Sequence, residues 1–427
     1  MTYKTQRIYI LSIIVLLSFN CTKKIASNTD VKINQPEVLI DKPYLILISL
    51  DGFRWDYVKR FQPPHLSKFV EEGVQAESLI PCFPSKTFPN HYSIATGMYP
   101  DNHELLDNSF FDTERNALYR ISDRSKVKDG SWYGGTPIWV QAKKTGLTTA
   151  SFFFVGSEAD IQGIQPDYFI DYDGSIKNKD RIDQVLEWLE MPANKRPQLI
   201  TMYFSDMDDA GHSFGPNDDK KISEALIRLD ADLGILFSGI KKTGLPINVM
   251  IVSDHGMLDI PIDQYIPIEK IENDDLYRVV NNGAIVHIYP KTDANMEDIY
   301  NRLKSMENHF SVFRTKETPQ FENTPHHKNW GAIQVIPDKG WYFTSQRYIG
   351  LKKSAGKKIS GEHGFDINLK EMHGVFYANG PAFKKNIVGP SVKNIHIYPA
   401  MCKVLGIDVP AEIDGDVKLI EYIFKGH

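Results

Sequence analysis

Three short runs of this sequence are apolar throughout and then stop at an acid. YLILISL (Tyr44–Leu50) ends at Asp51-Gly52, and INVMIVS (Ile247–Ser253) ends at Asp254-His255-Gly256. Between them QLITMYF (Gln198–Phe204) runs into SDMDDAGH, which carries Asp208 and His212. Runs this short and this uniformly apolar suit strands covered on both faces, as in a parallel sheet between layers of helices. The intervening PPHLSKFVEEG, DRIDQVLEWLEM and KKISEALIRLDADLGILFSGIKKTG have helical character, so the chain reads as an α/β alternation. Ligands of open α/β sheets bind beyond the carboxyl ends of the strands, and three acidic ends would therefore converge. A single Asp-Gly after a strand is ordinarily a turn, because Asp bonds its own backbone and Gly relieves strain. Three such ends, two of them with a His, and a further Gly-flanked histidine, His363 in SGEHGFD, ask for more than turns.

Carboxylate oxygen and imidazole nitrogen together suit Zn²⁺, whereas an all-oxygen set would suit Mg²⁺ or Ca²⁺. The donors outnumber what one catalytic zinc takes, which points to two ions, an arrangement that clamps both the attacking and the leaving oxygen at phosphorus. PSKTFPNH (Pro84–His91) then raises a question about Thr87, which stands where an irregular segment turns helical. Thr is a common helix N-cap, and Pro is at home in a first turn. A hydroxyl at a helix start beside divalent cations is equally a place where an alkoxide is stabilised.

The ends and the composition bound the setting. Lys4 and Arg7 precede the apolar run Ile8–Phe19, too short for a bilayer span of about 20 residues and laid out like a secretory signal. Cys21 follows at once. Residues 1–20 therefore read as a signal peptide and residues 21–42 as a lipoprotein tether lipidated on Cys21, giving an exported periplasmic or outer-membrane lipoprotein of a bacterium. A plain signal peptide is the alternative, since Ser18-Phe19-Asn20 departs from the usual lipobox. Cys82 and Cys402 are too few for a disulfide framework. The net charge of −5 argues against a nucleic-acid polymer as partner.

Six blocks, in order, resemble the ecto-type nucleotide pyrophosphatase/phosphodiesterases of the alkaline phosphatase superfamily: LISLDGFRWDY, FPSKTFPNHYSIATGMYPDNHELLDNSFFD, YFSDMDDAGHSFGP, VSDHGM, GEHGFD and MHGVFYANGPAF. The resemblance runs from about Tyr44 to the C-terminus. It implies an α/β fold with an alkaline-phosphatase-like, mostly parallel core sheet flanked by helices. Residues 43–427 would form the catalytic domain, with a small inserted α+β subdomain at about 261–353. Within that stretch GAIVHIYPK, FSVFRT and AIQVIPDKGWYF look like strands and TDANMEDIYNRLKSM like an amphipathic helix; His326 and His327 read as loop residues.

The resemblance also implies roles. Thr87 would be the nucleophile. Asp51, Asp254, His255 and Thr87 itself would hold one Zn²⁺, and Asp208, His212 and His363 the other. Asn108 of LDNSFFD would bind a non-bridging phosphoryl oxygen, and Phe88 and Tyr172 would stack a nucleotide base. Phe154 and Val155 stand where the family usually has Trp and Pro. The expected reaction is hydrolysis of a nucleotide phosphodiester or phosphoanhydride, through a phosphothreonine, to a nucleoside 5'-monophosphate. The substrate would be a small molecule, and the only membrane contact a lipid anchor at Cys21.

Alternatives are a phosphodiesterase for lipid-headgroup (choline-type) diesters and a phosphate monoesterase. Monoesterases balance a dianion with extra positive charge, and Ser151–Asp173 contains no Lys or Arg, which favours a diester. A sulfatase needs a CxPxR-type block that PSKTFPNH does not offer. A protein that only binds nucleotides would have no use for Thr87.

Overall fold

Along the strand Tyr44–Leu50 the side chains alternate between two cores. Leu45 and Leu47 enter a cluster with Ile94, Trp139 and Met401, while Ile46, Ile48 and Leu50 enter another with Leu66, Val185 and Leu229. The run is apolar at every position but Ser49, whose Oγ meets the buried His91, because both faces are covered, and Leu47→Ala would cost about 2–5 kcal/mol. The structure, a computed structural model, describes residues 43–426, so the leader and the tether with Cys21 lie outside the described residues.

Tyr44–Leu50 is central in an eight-stranded sheet. From one edge the order is Ile387–Gly389, Val74–Ala76, Phe376–Asn379, Ile247–Val252, Tyr44–Leu50, Leu199–Phe204, Thr149–Phe152, Tyr168–Ile170. Every pairing is parallel except the two made by Phe376–Asn379. The sheet is thus mostly parallel and flanked by helices, as expected. On one side lies Asp219–Thr243, which buries Ile222, Leu226, Leu229, Leu233 and Leu236 along a single stripe. Asp218 caps its start by accepting from the Lys221 N–H, and Gly244 ends it in a left-handed conformation.

Register is what brings the acids together. Leu50 lies beside Phe204 and Ser49 beside Val252, so Asp51, Ser205 and Ser253-Asp254 leave the sheet at one edge. At that edge Gly52 has φ +62°, and a Cβ on it would stand 2.8 Å from the Asp208 backbone; only glycine lets these two segments approach so closely.

After the third strand the chain makes an excursion. It leaves along Leu258–Pro261 and returns along Ile359–Glu362, which pair antiparallel with Leu258 opposite Glu362. That pairing delivers His363 to the neighbourhood of His255. Within the excursion an antiparallel sheet has the order Tyr277–Asn281, Val286–Pro290, Ile333–Pro337, Phe310–Arg314, and its own core includes Ile299 and Leu303 of the helix Met296–Lys304. Two strands depart from the reading of the sequence. Tyr277–Asn281, among charged neighbours, carries no periodic signal, and Tyr342–Thr344 leaves this sheet to pair with Tyr265–Pro267. Cys82 and Cys402 are buried free thiols, not joined to each other. No helix among the described residues is long and apolar enough to cross a membrane.

Candidate active site

Four segments meet at the carboxyl edge. Asp51 caps the central strand, its N–H donating to the Phe204 carbonyl at 2.9 Å. Asp208 and His212 sit four residues apart on the helix Asp206–Phe214, on one face, with Nε2 of His212 3.4 Å from Oδ1 of Asp208. Asp254 and His255 follow the third strand, and His363 follows the returning stem. Asp208, His212 and His363 each offer a donor atom within 4.8 Å of the others, and so do Asp51, Asp208 and His255. Asp254 joins the second group through Oδ2, 3.1 Å from Nε2 of His255. Asp208 therefore stands between two donor sets, although the resemblance assigns it to one.

The donors are prepared for cations. Oδ1 of Asp51, Oδ1 of Asp208 and Oδ2 of Asp254 are buried without a hydrogen-bond partner in the protein, an expensive condition for carboxylate oxygens unless a positive group offsets it. Burial raises the Asp51 carboxyl well above its usual range, with Asp254 and Asp208 adding to it, and burial also raises Asp208. Burial pushes Asp254 upward too, but His255 and His91 outweigh it and bring it down to about 2. Nδ1 of His212, His255 and His363 lies 2.7, 2.8 and 2.9 Å from the carbonyls of Gly361, Gly256 and Ser85. A carbonyl only accepts, so each Nδ1 carries the proton and each Nε2 keeps a lone pair for a metal. Burial depresses His255 and His363, favouring the neutral ring a metal requires. The residues present fit a pair of adjacent divalent cations, and the mixed oxygen and nitrogen donors suit zinc.

Thr87 is not the helix cap. The helix spans Thr87–Thr96 with Lys86 in the cap position and no capping side-chain bond, while Oγ1 of Thr87 lies 3.2 Å from Nε2 of His255. The hydroxyl points into the donor cluster. One turn on, His91 is fully buried; its Nδ1 donates to the Thr87 carbonyl at 2.9 Å and its Nε2 is 2.7 Å from Oγ of Ser49. Nδ1 also lies 3.2 Å from Oδ2 of Asp254, but its single hydrogen is directed at the carbonyl. His91 and Tyr203, whose hydroxyl donates to Oδ2 of Asp51 at 2.6 Å, escaped the reading of the sequence. The four-residue step from Thr87 to His91 was the available signal.

Asn108 uses its carboxamide oxygen to accept the Phe88 N–H at 3.0 Å, which leaves its NH₂ as the group it can still offer. Phe88 and Tyr172 both line a cleft of about 420 Å³ that opens onto Thr87 and Asp51. Tyr172 is 43% exposed and touches Phe153 edge-on, so its ring is not packed into the core. The cleft also holds Arg124, a cation from a segment other than Ser151–Asp173. It is ion-paired with Glu158, with its guanidinium 5.7 Å from the centre of the Tyr172 ring. Lys86 is a second unforeseen cation: buried, 3.1 Å from the Tyr342 hydroxyl, and lowered by that burial. His326 and His327 stand away from the site, the first paired with Asp101 and the second accepting the Asn329 N–H.

Residues 45–366 match the family model of type I phosphodiesterase / nucleotide pyrophosphatase. The chain is 32% identical over 367 residues to the bis(5'-adenosyl)-triphosphatase of Xenopus laevis, covering 86% of this chain and 78% of that protein. It is 34% identical over 408 residues to ectonucleotide pyrophosphatase/phosphodiesterase family member 1 of Homo sapiens, covering 92% of this chain and 43% of that longer protein. Among solved structures, murine ectonucleotide pyrophosphatase/phosphodiesterase 5 superposes with a TM-score of 0.82 at 26% identity, over 90% of this chain and all of that one. An inactive threonine-to-alanine variant of the same murine protein has been solved in complex with AMP.

Proposed function

This chain belongs to the type I phosphodiesterase / nucleotide pyrophosphatase family, with an alkaline-phosphatase-like fold, and on that premise we propose a two-zinc enzyme with Thr87 as nucleophile that releases nucleoside 5'-monophosphates. The enzyme class, phosphoric diester hydrolysis, comes with the family. The observation that carries the finer reading is the aim of Oγ1 of Thr87 into the Asp51, Asp208, Asp254 and His255 cluster.

In this reading Asp51, Thr87, Asp254 and His255 hold one zinc, and Asp208, His212 and His363 the other. Zinc bound there lowers the pKa of an oxygen acid and offsets charge gathering on the phosphoryl group. Oγ1 of Thr87 attacks phosphorus as the bond to the departing ester or anhydride oxygen breaks. Water then cleaves the threonine–phosphorus ester, giving the monophosphate and restoring the hydroxyl. Asn108, its oxygen engaged by the Phe88 N–H, turns its NH₂ toward a non-bridging oxygen. The base lies between Phe88 and Tyr172. Arg124 adds little net charge to the cleft because Glu158 neutralises it, which suits a diester better than a dianionic monoester. With an export leader and a lipid anchor at Cys21, both read from residues outside the described structure, the enzyme would work at a bacterial cell envelope.

The test is a hydrolysis screen of purified protein with nucleotide diesters and anhydrides, choline-type headgroup diesters and monoesters side by side. Preference for the nucleotide compounds, with a nucleoside 5'-monophosphate as product, supports the reading. Preference for headgroup diesters or monoesters overturns it.

A further inference from the structure

Asn108 directly precedes the strand Ser109–Asp112, which pairs antiparallel with Ala117–Arg120, and the excursion grips this segment at every second residue. Asp107, just before it, is fully buried, and Oδ2 stands 3.1 Å from Nε2 of His287. The Ser109 carbonyl, just after it, accepts from Nδ2 of Asn282 at 2.8 Å. The Phe111 N–H donates to the Tyr289 hydroxyl at 3.1 Å. Asn282 lies in the turn after the strand Tyr277–Asn281, and His287 and Tyr289 lie on the next strand of the smaller antiparallel sheet, Val286–Pro290. With the flanking residues fixed, Asn108 itself is left facing the nucleophile helix, where its Oδ1 meets the Phe88 N–H.

His287 is the centre of this arrangement. It is fully buried, and both its ring nitrogens face oxygens: Oδ2 of Asp107 and, at 2.7 Å, Oε1 of Gln334. The orientation of the Gln334 amide is fixed independently, because its Nε2 donates to Oγ1 of Thr315 at 3.0 Å and to the Trp330 carbonyl at 2.6 Å. The ring is thus held from both sides, by Gln334 and by Asp107. The other oxygen of Asp107 accepts the Asn108 N–H at 2.7 Å. A chain of directed bonds thus runs from Gln334 through His287 and Asp107 to the backbone of Asn108, and from its side chain to the residue after Thr87.

We propose that His287 is a positioning residue for phosphoryl transfer: with Asn282 and Tyr289 it holds the Asp107–Phe111 segment so that Asn108 meets the reacting phosphoryl oxygen. This rests on the reading of Asn108 given above. A displacement of about 1 Å in such a group costs on the order of 100-fold in rate. The clamp makes no hydrogen bond to the Asp and His metal donors, and it reaches the base site only at the backbone N–H of Phe88, not at either ring. Its loss should therefore lower kcat and leave KM and metal content nearly as they are.

The experiment is a kinetic double-mutant cycle between His287→Gln and Asn108→Ala on a chromogenic nucleotide diester, with zinc content and thermal midpoint measured for each protein. Each single variant should lose roughly 10- to 100-fold in kcat with KM changed less than about threefold. In the Asn108→Ala background His287→Gln should cost less than about twofold more, because its effect passes through Asn108. Where His287→Gln does not fold, Tyr289→Phe, which removes one hydroxyl from the same clamp, takes its place in the cycle. Losses that multiply in the double variant overturn the positioning role while leaving Asn108 in place. Wild-type kcat in Asn108→Ala overturns the role of Asn108, and the clamp with it.

Discussion

The imidazoles of His255 and His363 lie face to face, ring centroids 3.6 Å apart and planes 16° from parallel. One follows a strand of the main sheet; the other arrives only after the whole excursion, on the stem that pairs Leu258 with Glu362. With each Nδ1 held by a carbonyl, the two Nε2 lone pairs look out from adjacent rings, His255 toward Asp51 and Asp254, His363 toward Asp208. In the two-zinc reading proposed above, each Nε2 would face its own cation.

The purified enzyme should accordingly hold close to two equivalents of zinc. Metal analysis of His363→Ala should find about one, the remainder being held by Asp51, Asp254 and His255. Chelation should abolish turnover, and zinc should restore it. Full turnover of metal-free protein would sink the assignment.

Thr87→Ala separates the nucleophile from the helix cap. Losing a capping hydroxyl costs about 0.5–2 kcal/mol of stability, but the cap position belongs to Lys86 and Oγ1 of Thr87 faces His255. The variant should therefore melt within a degree or two of the wild type, yet lose on the order of 1000-fold or more in kcat. Thr87→Ser should keep some activity. Near-normal turnover in Thr87→Ala, with a lowered melting point, would make the threonine a cap after all.

Much of this was legible because the constraint is local. Tyr44–Leu50, Leu199–Phe204 and Ile247–Val252 are buried on both faces, and a strand so placed is apolar at nearly every position, which a sequence displays directly; the exceptions Ser49, Thr201 and Asn248 are hydrogen-bonded. The convergence of Asp51, Asp208 and Asp254 then follows from parallel register. What stayed hidden depends on contacts between distant segments. Arg124 reaches the cleft from the hairpin region after Asn108, Lys86 finds the Tyr342 hydroxyl across the excursion, and His287 meets Asp107 through a sheet that no periodicity ties to the site. Polar residues of this kind carry no spacing signal; only the fold identifies their partners.

Glu322 makes stability depend on pH away from the site. Burial raises its carboxyl from the usual 4.5 to about 7, while Oε1 accepts the Phe83 N–H. Between those two values the folded chain keeps a proton that the unfolded chain has released. Unfolding then releases a proton, so stability falls as pH rises from about 4.5 to 7 and levels off above. Urea denaturation of wild type and Glu322→Gln should show the difference: the variant, always neutral and still able to accept from Phe83, gains on the wild type as pH rises through this window. A constant gap between the two from pH 4 to 8 would mean that Glu322 titrates like an exposed carboxylate.

In the reading proposed above, substrate choice rests on the two rings of the cleft. Tyr172 is 43% exposed, touches Phe153 edge-on and lines the cleft with Phe88 and Arg124, so its ring is presented to the cleft rather than packed into the core. Stacking of this kind contributes about 1–3 kcal/mol per base. It acts at a distance from phosphorus and is made equally in the ground state and the transition state, so removing it weakens binding without slowing the chemical step. Tyr172→Ala should raise KM for nucleotide diesters by roughly 5- to 150-fold, the kinetic equivalent of that energy, with kcat nearly unchanged. A small chromogenic diester with no base should scarcely register the substitution, because nothing in it reaches the ring. Equal losses on both substrates would mean that Tyr172 shapes the cleft rather than gripping a base, and the headgroup-diester reading would then account better for the cleft.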